Sequence, residues 1–191
     1  MKNKETSSQA EVLIKDLSGM DPKFRQSSKY AAMEIKAGGR ELYELIFNAS
    51  LNSAGNGAER CAEACARAAE LDPAIAAGTG GKVVSAILNN PKGGLRYFLC
   101  VQLLYVKIPK AAAQKCAKVI VKWLKKETGK GPKAAFLEAI AHMAEDEPKL
   151  EPLAVKLLDE ALLSDVPSYS ARARQIIMKK GKPKAHSPNP K

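Results

Sequence analysis

The sequence predicts an all-α chain of stacked antiparallel helical hairpins, and three observations carry that expectation. Thirty of the 191 residues are alanine, which favours helix and lets helices approach closely. No run of alternating β-branched and polar residues marks a strand. Prolines 73, 109 and 148 each fall between two helical patterns, at intervals of 36 and 39 residues. One hairpin cannot bury its own apolar face, so units of this length must stack on one another.

Residues 1–8 read as a flexible polar leader, and a helix is expected over 9–17, ending at Ser18 and Gly19. Asp21 can cap the next helix and Pro22 can take its first position. Its pattern runs over 24–36, with Tyr30, Met33 and Ile35 as apolar face, and stops at Gly38 and Gly39. A helix over 40–52 carries Leu42, Leu45, Ile46 and Ala49, and 53–57 is a turn. An Ala-rich helix over 58–71 leads to Asp72 and Pro73, a cap-plus-proline start. The element they open is interrupted by the glycines of 78–81, before 82–88. Further helices are expected over 95–106, from Pro109 through Lys126, over 133–145 and 150–163, and from 168 to about Met178. The organisation is therefore a leader, one all-helical repeat domain over 9–178, and a tail over 179–191. That tail has five positive charges and no large apolar residue, and is expected to be disordered.

The pattern Cys116-Ala117-Lys118-Val119-Ile120 returns 38 residues later as Ala154-Val155-Lys156-Leu157-Leu158. With two helices per unit, this period resembles the HEAT and armadillo class, which implies a short HEAT-like α-solenoid over about 24–178. The tetratricopeptide period is shorter, and its signature is absent. An irregular helical bundle is the plainer alternative.

The formal net charge is +11, and its distribution matters more than its size. Residues 91–133 carry +10, whereas 134–178 carry −4. Lys115, Lys118, Lys122 and Lys125 recur at intervals of three, four and three, so they share one helical face. Lys110 and Lys126 extend that strip, and Ala113, Cys116, Ala117, Ile120, Trp123 and Leu124 lie opposite it as core. Glu127 is the only acid between Pro91 and Lys133. Like charges at turn spacing repel, and an anionic partner would relieve them. If this helix is the second of its unit, the strip faces into the groove of the stack. Lys149, Lys156, Arg172, Arg174, Lys179 and Lys180 are then candidates to extend the patch.

Two partners fit such a strip: the phosphate backbone of nucleic acid, or an acidic protein surface. A solvated face of a basic protein is the bland alternative. Tyr97, Phe98 and Tyr105 read as core, which leaves few aromatic platforms for single strands and favours a duplex. No apolar run approaches the ~20 residues that span a bilayer, and no membrane partner is expected. Four cysteines in helical pattern, without a secretion signal, fit a reducing cytoplasm.

No motif calls for a cofactor, a metal or a catalytic residue. Gly78-Thr79-Gly80-Gly81-Lys82 lacks the first glycine and the Ser or Thr of a phosphate loop. Cys61 and Cys65 share a helical face, but a closed zinc site needs four ligands. His142 is in reach of Glu138, an ordinary helix-surface spacing. Among HEAT-like proteins, the alkylpurine DNA glycosylases are small basic solenoids that hold duplex DNA in a concave groove. Their activity relies on an Asp with aromatic residues beside the damaged base. Here Trp123 is the sole Trp and reads as core-facing, and Asp159 and Asp165 match no catalytic position.

Overall fold

The computed structural model of the chain describes residues 2–19, 24–53 and 55–180. Among them the helices are α1 (Lys2–Ser18), α2 (Phe24–Asn52), α3 (Asn56–Leu71), α4 (Gly80–Leu88), α5 (Leu95–Leu103), α6 (Lys110–Lys126), α7 (Lys130–Asp146), α8 (Glu151–Leu162) and α9 (Pro167–Lys180). Pro73–Ala76 and Pro148–Leu150 form 3₁₀ turns. The fold is all-α, and neighbouring helices pack along the whole described chain.

α2 packs on α3, α4 on α5, α6 on α7 and α8 on α9. Each second helix of these pairs also meets the next, α3 on α5, α5 on α7 and α7 on α9, while α4 packs on α6 and α1 covers α2 and α3. The prolines punctuate this order. Pro73 and Pro148 open the 3₁₀ turns between one pair and the next, and Pro109 caps the start of α6. A residue without an N–H loses nothing at a helix start, where the first amides lack intrahelical acceptors anyway.

Several boundaries differ from the local pattern. α1 takes in residues 2–8 as helix, with Glu5 in its first turn, where the helix dipole favours an acid. α2 runs through 38–39, but Gly39, at φ 72 and ψ −160, breaks its helical geometry. In the first half of α2 the apolar face is not the expected one: Tyr30 and Met33 are 60% and 65% exposed, and Ser28, Ala31, Ala32 and Ile35 are buried. α2 therefore meets its Ala-rich neighbour through its own small residues. The glycines of 78–81 make a tight passage into α4. Gly78 has φ 84, and a Cβ on Gly80 would collide with the Lys107 carbonyl oxygen.

A buried polar link crosses three helices. Tyr43 Oη donates to Gln102 Oε1 at 3.1 Å, and Gln102 Nε2 donates to the Ala62 carbonyl at 3.2 Å. A second tie is the Glu59 carboxylate of α3, which accepts from the Gly94 amide at the start of α5 at 2.7 Å. Among the described residues no buried side-chain nitrogen or oxygen lacks a partner. Replacing Tyr43 by Phe leaves Gln102 Oε1 buried and without its donor. Tyr43→Phe is expected to lower stability by about 1–3 kcal/mol, measured by urea unfolding.

Candidate nucleic-acid interface

α6 separates its two faces cleanly. Ala113, Cys116, Ala117, Ile120, Trp123 and Leu124 are buried, and Lys110, Lys115, Lys118, Lys122, Lys125 and Lys126 are exposed. The core face is anchored by Trp123, whose Nε1 donates to Asn90 Oδ1 at 2.8 Å and whose ring packs 5.9 Å from Phe136. The Arg96 guanidinium lies 5.1 Å from the centre of the Trp123 ring and donates to the Pro91 carbonyl at 2.6 Å. Fixing Trp123 fixes the rotation of α6, and with it the direction of the lysines.

None of the six α6 lysines forms an ion pair among the described residues. Glu127, the one acid nearby in sequence, turns back on its own chain, accepting from the Thr128 and Gly129 amides at 2.9 and 2.7 Å. Three acids further on, along α7 and α8, have other partners. Glu138 meets Arg172 at 3.5 Å, Glu160 meets Lys156 at 4.0 Å, and Glu145 meets His142 at 3.7 Å. Glu147 reaches only the flank of α6, accepting from Gln114 at 3.5 Å. Lys125 and Lys126 suit the C-terminal end of the helix dipole, whereas Lys110 at the opposite end opposes it.

The remaining candidates lie on other elements. Lys156 is paired on α8, and Arg172 turns toward Glu138 between α7 and α9. Arg174 and Lys179 are exposed on α9, which packs on α7 and α8. Lys149 is exposed in the 3₁₀ turn that touches α6. The Lys180 side chain and the tail over 181–191 lie outside the described residues. The condition for a groove-facing strip is not met either, because α6 is the first helix of its pair. It stacks on α4, whereas α3, α5, α7 and α9 form the other layer.

That second layer carries the clefts. One, of about 570 Å³, is lined by Lys29, Glu63, Arg67, Tyr97 and Phe98 among others. Another, of about 610 Å³, is lined by Tyr97, Tyr105, Glu138 and Arg172 among others, and the two share Glu70, Tyr97 and Val101. No α6 residue lines either. Tyr97, Phe98 and Tyr105 are thus half-buried cleft walls rather than core. Burial pushes the Tyr105 phenol up, the Glu70 and Glu138 carboxylates add to this, and Arg172 opposes it. Glu63 and Arg67, which pattern as a solvated helix pair, are instead part of this wall. Glu63 is buried and accepts from Arg67 at 2.7 Å and from Ser28 at 3.2 Å. Helix periodicity alone could not find these residues, because their face is made by four separate helices.

The other chemistry resolves simply. His142 pairs with Glu145, while Glu138 is held by Arg172. Asp159 lies on α8 and Asp165 in the turn after it, and neither lines the aromatic clefts. Among the described residues no three His, Cys, Asp or Glu gather to hold a metal ion, and no helix is long and apolar enough to cross a membrane. All four cysteines are buried free thiols. Burial pushes Cys61 up to about 11 and Cys116 up to about 12. Comparison with protein-family models, curated proteins and solved structures finds no significant match for the chain.

The thiols and the strip each make stability depend on solution conditions. Unfolded thiols ionise from about pH 9, while the buried ones stay protonated, so rising pH favours the unfolded chain. The urea midpoint should fall between pH 9 and pH 11, and native thiols should react with a disulfide reagent only as fast as the chain opens. On the strip, removing like-charge repulsion should stabilise the free protein. Lys118→Gln with Lys122→Gln is expected to raise stability by a few tenths of a kcal/mol at low ionic strength. The gain should vanish at high salt, as measured by thermal unfolding across a salt series.

Proposed function

We propose that this chain is a non-enzymatic, HEAT-like helical-repeat protein whose α6 lysines bind the phosphate backbone of duplex nucleic acid. The repeat reading draws on the ladder of second helices, the α4–α6 contact, and a proline at each of three successive junctions between pairs. An irregular bundle has no reason to repeat that order. The binding reading rests on one observation: six lysines of α6, exposed and without ion pairs among the described residues, beside an acid whose carboxylate is occupied by backbone amides. The protein bears their mutual repulsion for no gain in packing.

From Lys110 to Lys126 the strip is about 24 Å long, over which one strand of a duplex presents roughly seven phosphates. Lysine contacts of this kind give affinity and position without reading bases. Duplex is favoured over single strands because the aromatic residue of α6, Trp123, is buried and unavailable for stacking.

The test is fluorescence anisotropy of a short labelled duplex across a salt series. The full chain is compared with a variant carrying Lys115→Gln, Lys118→Gln, Lys122→Gln and Lys125→Gln. The full chain should bind at low salt, and the slope of log affinity against log salt should flatten in the variant by about 3–4, roughly 0.9 for each phosphate no longer neutralised. Absence of binding at low salt, a variant that binds like its parent, or equal competition by polyglutamate would overturn the duplex reading.

A further inference from the structure

We propose that the joined clefts of the α3–α5–α7–α9 layer dock an extended segment of a partner protein, with an arginine of that segment entering between Tyr97 and Tyr105 onto Glu70. The two clefts run into each other through Glu70, Tyr97 and Val101, so the depression crosses four helices as one trough. Each is of the size that takes small ligands and side chains.

Charge decides what the trough accepts. Two of its carboxylates already have cations, Glu63 with Arg67 and Glu138 with Arg172. With Lys29 and Lys179 also in the lining, Glu70 is the one carboxylate of the trough left without an ion pair among the described residues, a local acceptor for a cation between the two pairs.

The walls decide which cation. Tyr97 and Phe98 meet edge to face at 4.9 Å, and Tyr105, in the turn after α5, lines the second cleft with Tyr97, within the electrostatic reach of Glu70. Aromatic faces attract a cation through the ring quadrupole, and a carboxylate beside them adds a charge-assisted hydrogen bond. A planar guanidinium serves both at once, stacking on a ring while its fork meets the carboxylate, which an ammonium does less well. Lys29 in the first cleft and Lys179 in the second offer positive charge to acidic residues flanking that arginine. This proposal uses no α6 residue, so it stands or falls apart from the duplex reading.

The experiment is an NMR titration of the full chain, carbon-13 labelled in its tyrosine rings, with an alanine–serine peptide bearing one central arginine. Ring signals of Tyr97 and Tyr105 should move and saturate while those of exposed Tyr30 stay in place. Glu70→Gln, at an unchanged thermal midpoint, should weaken binding about tenfold, as should citrulline in place of the peptide's arginine. Citrulline keeps the shape and loses only the charge, so it tests the proposal even if the variant folds poorly. Absence of shifts, equal binding of the citrulline peptide, or a Glu70→Gln protein that binds like its parent overturns it.

Discussion

Short side chains on α3 are the constraint on which the rest of the molecule depends. α3 packs against α1, α2 and α5 and against the first 3₁₀ turn. A helix enclosed on so many sides keeps only a narrow open side, at Arg67 and Glu70, and apart from Glu63 its buried positions are Ala58, Ala62, Ala64, Ala66, Ala68 and Ala69 with Cys61 and Cys65. Close approach results, and α2 answers with Ala31 and Ala32 rather than with Tyr30 and Met33. In a close-packed interior one added methylene is felt, so this contact leaves little freedom in how the first pair forms. Once it forms, α3 presents the Ala62 carbonyl to Gln102 and the Glu59 carboxylate to the start of α5, and the next pair is placed by those two groups.

The same logic carries charge to particular places. Each pair buries the face between its helices, and the layers are left with different exposed chemistry. α6, on the first layer, turns six lysines outward, because Trp123 locks its rotation through Asn90 and Phe136. The acidic stretch after it in sequence forms no ion pair with them among the described residues, and three of its carboxylates meet His142, Lys156 and Arg172 instead. Along α3, α5 and the turn after it, Tyr97, Tyr105 and Glu70, a carboxylate without an ion pair among the described residues, line clefts. The strip of like charge and the aromatic clefts thus share no lining residue.

Much of the fold is legible along the chain because helix signals are local. The core face of α6 reads from spacing alone, since 3.6-residue periodicity and six apolar positions leave one rotation that buries them. The junction prolines are equally local, as each needs only a helix start that tolerates a missing amide. Where two faces of a helix are nearly equal in apolarity, as in the first half of α2, spacing does not choose, and the neighbour does. Small residues win there because α3 comes close.

By itself, then, the sequence determined the helical class, the places where helices break, and the lysine strip with its opposing core. Tertiary packing alone decided that α6 packs on α7 and α4, and that its lysines line neither of the two aromatic clefts. It also decided that Glu63 is buried, and that Tyr97, Phe98 and Tyr105 wall a cleft with Glu70, Glu138 and Arg172. The physical reason is the range of the information. A helix and its faces arise from interactions within a few residues, but a cleft exists only where side chains from distant helices fail to fill the space between them.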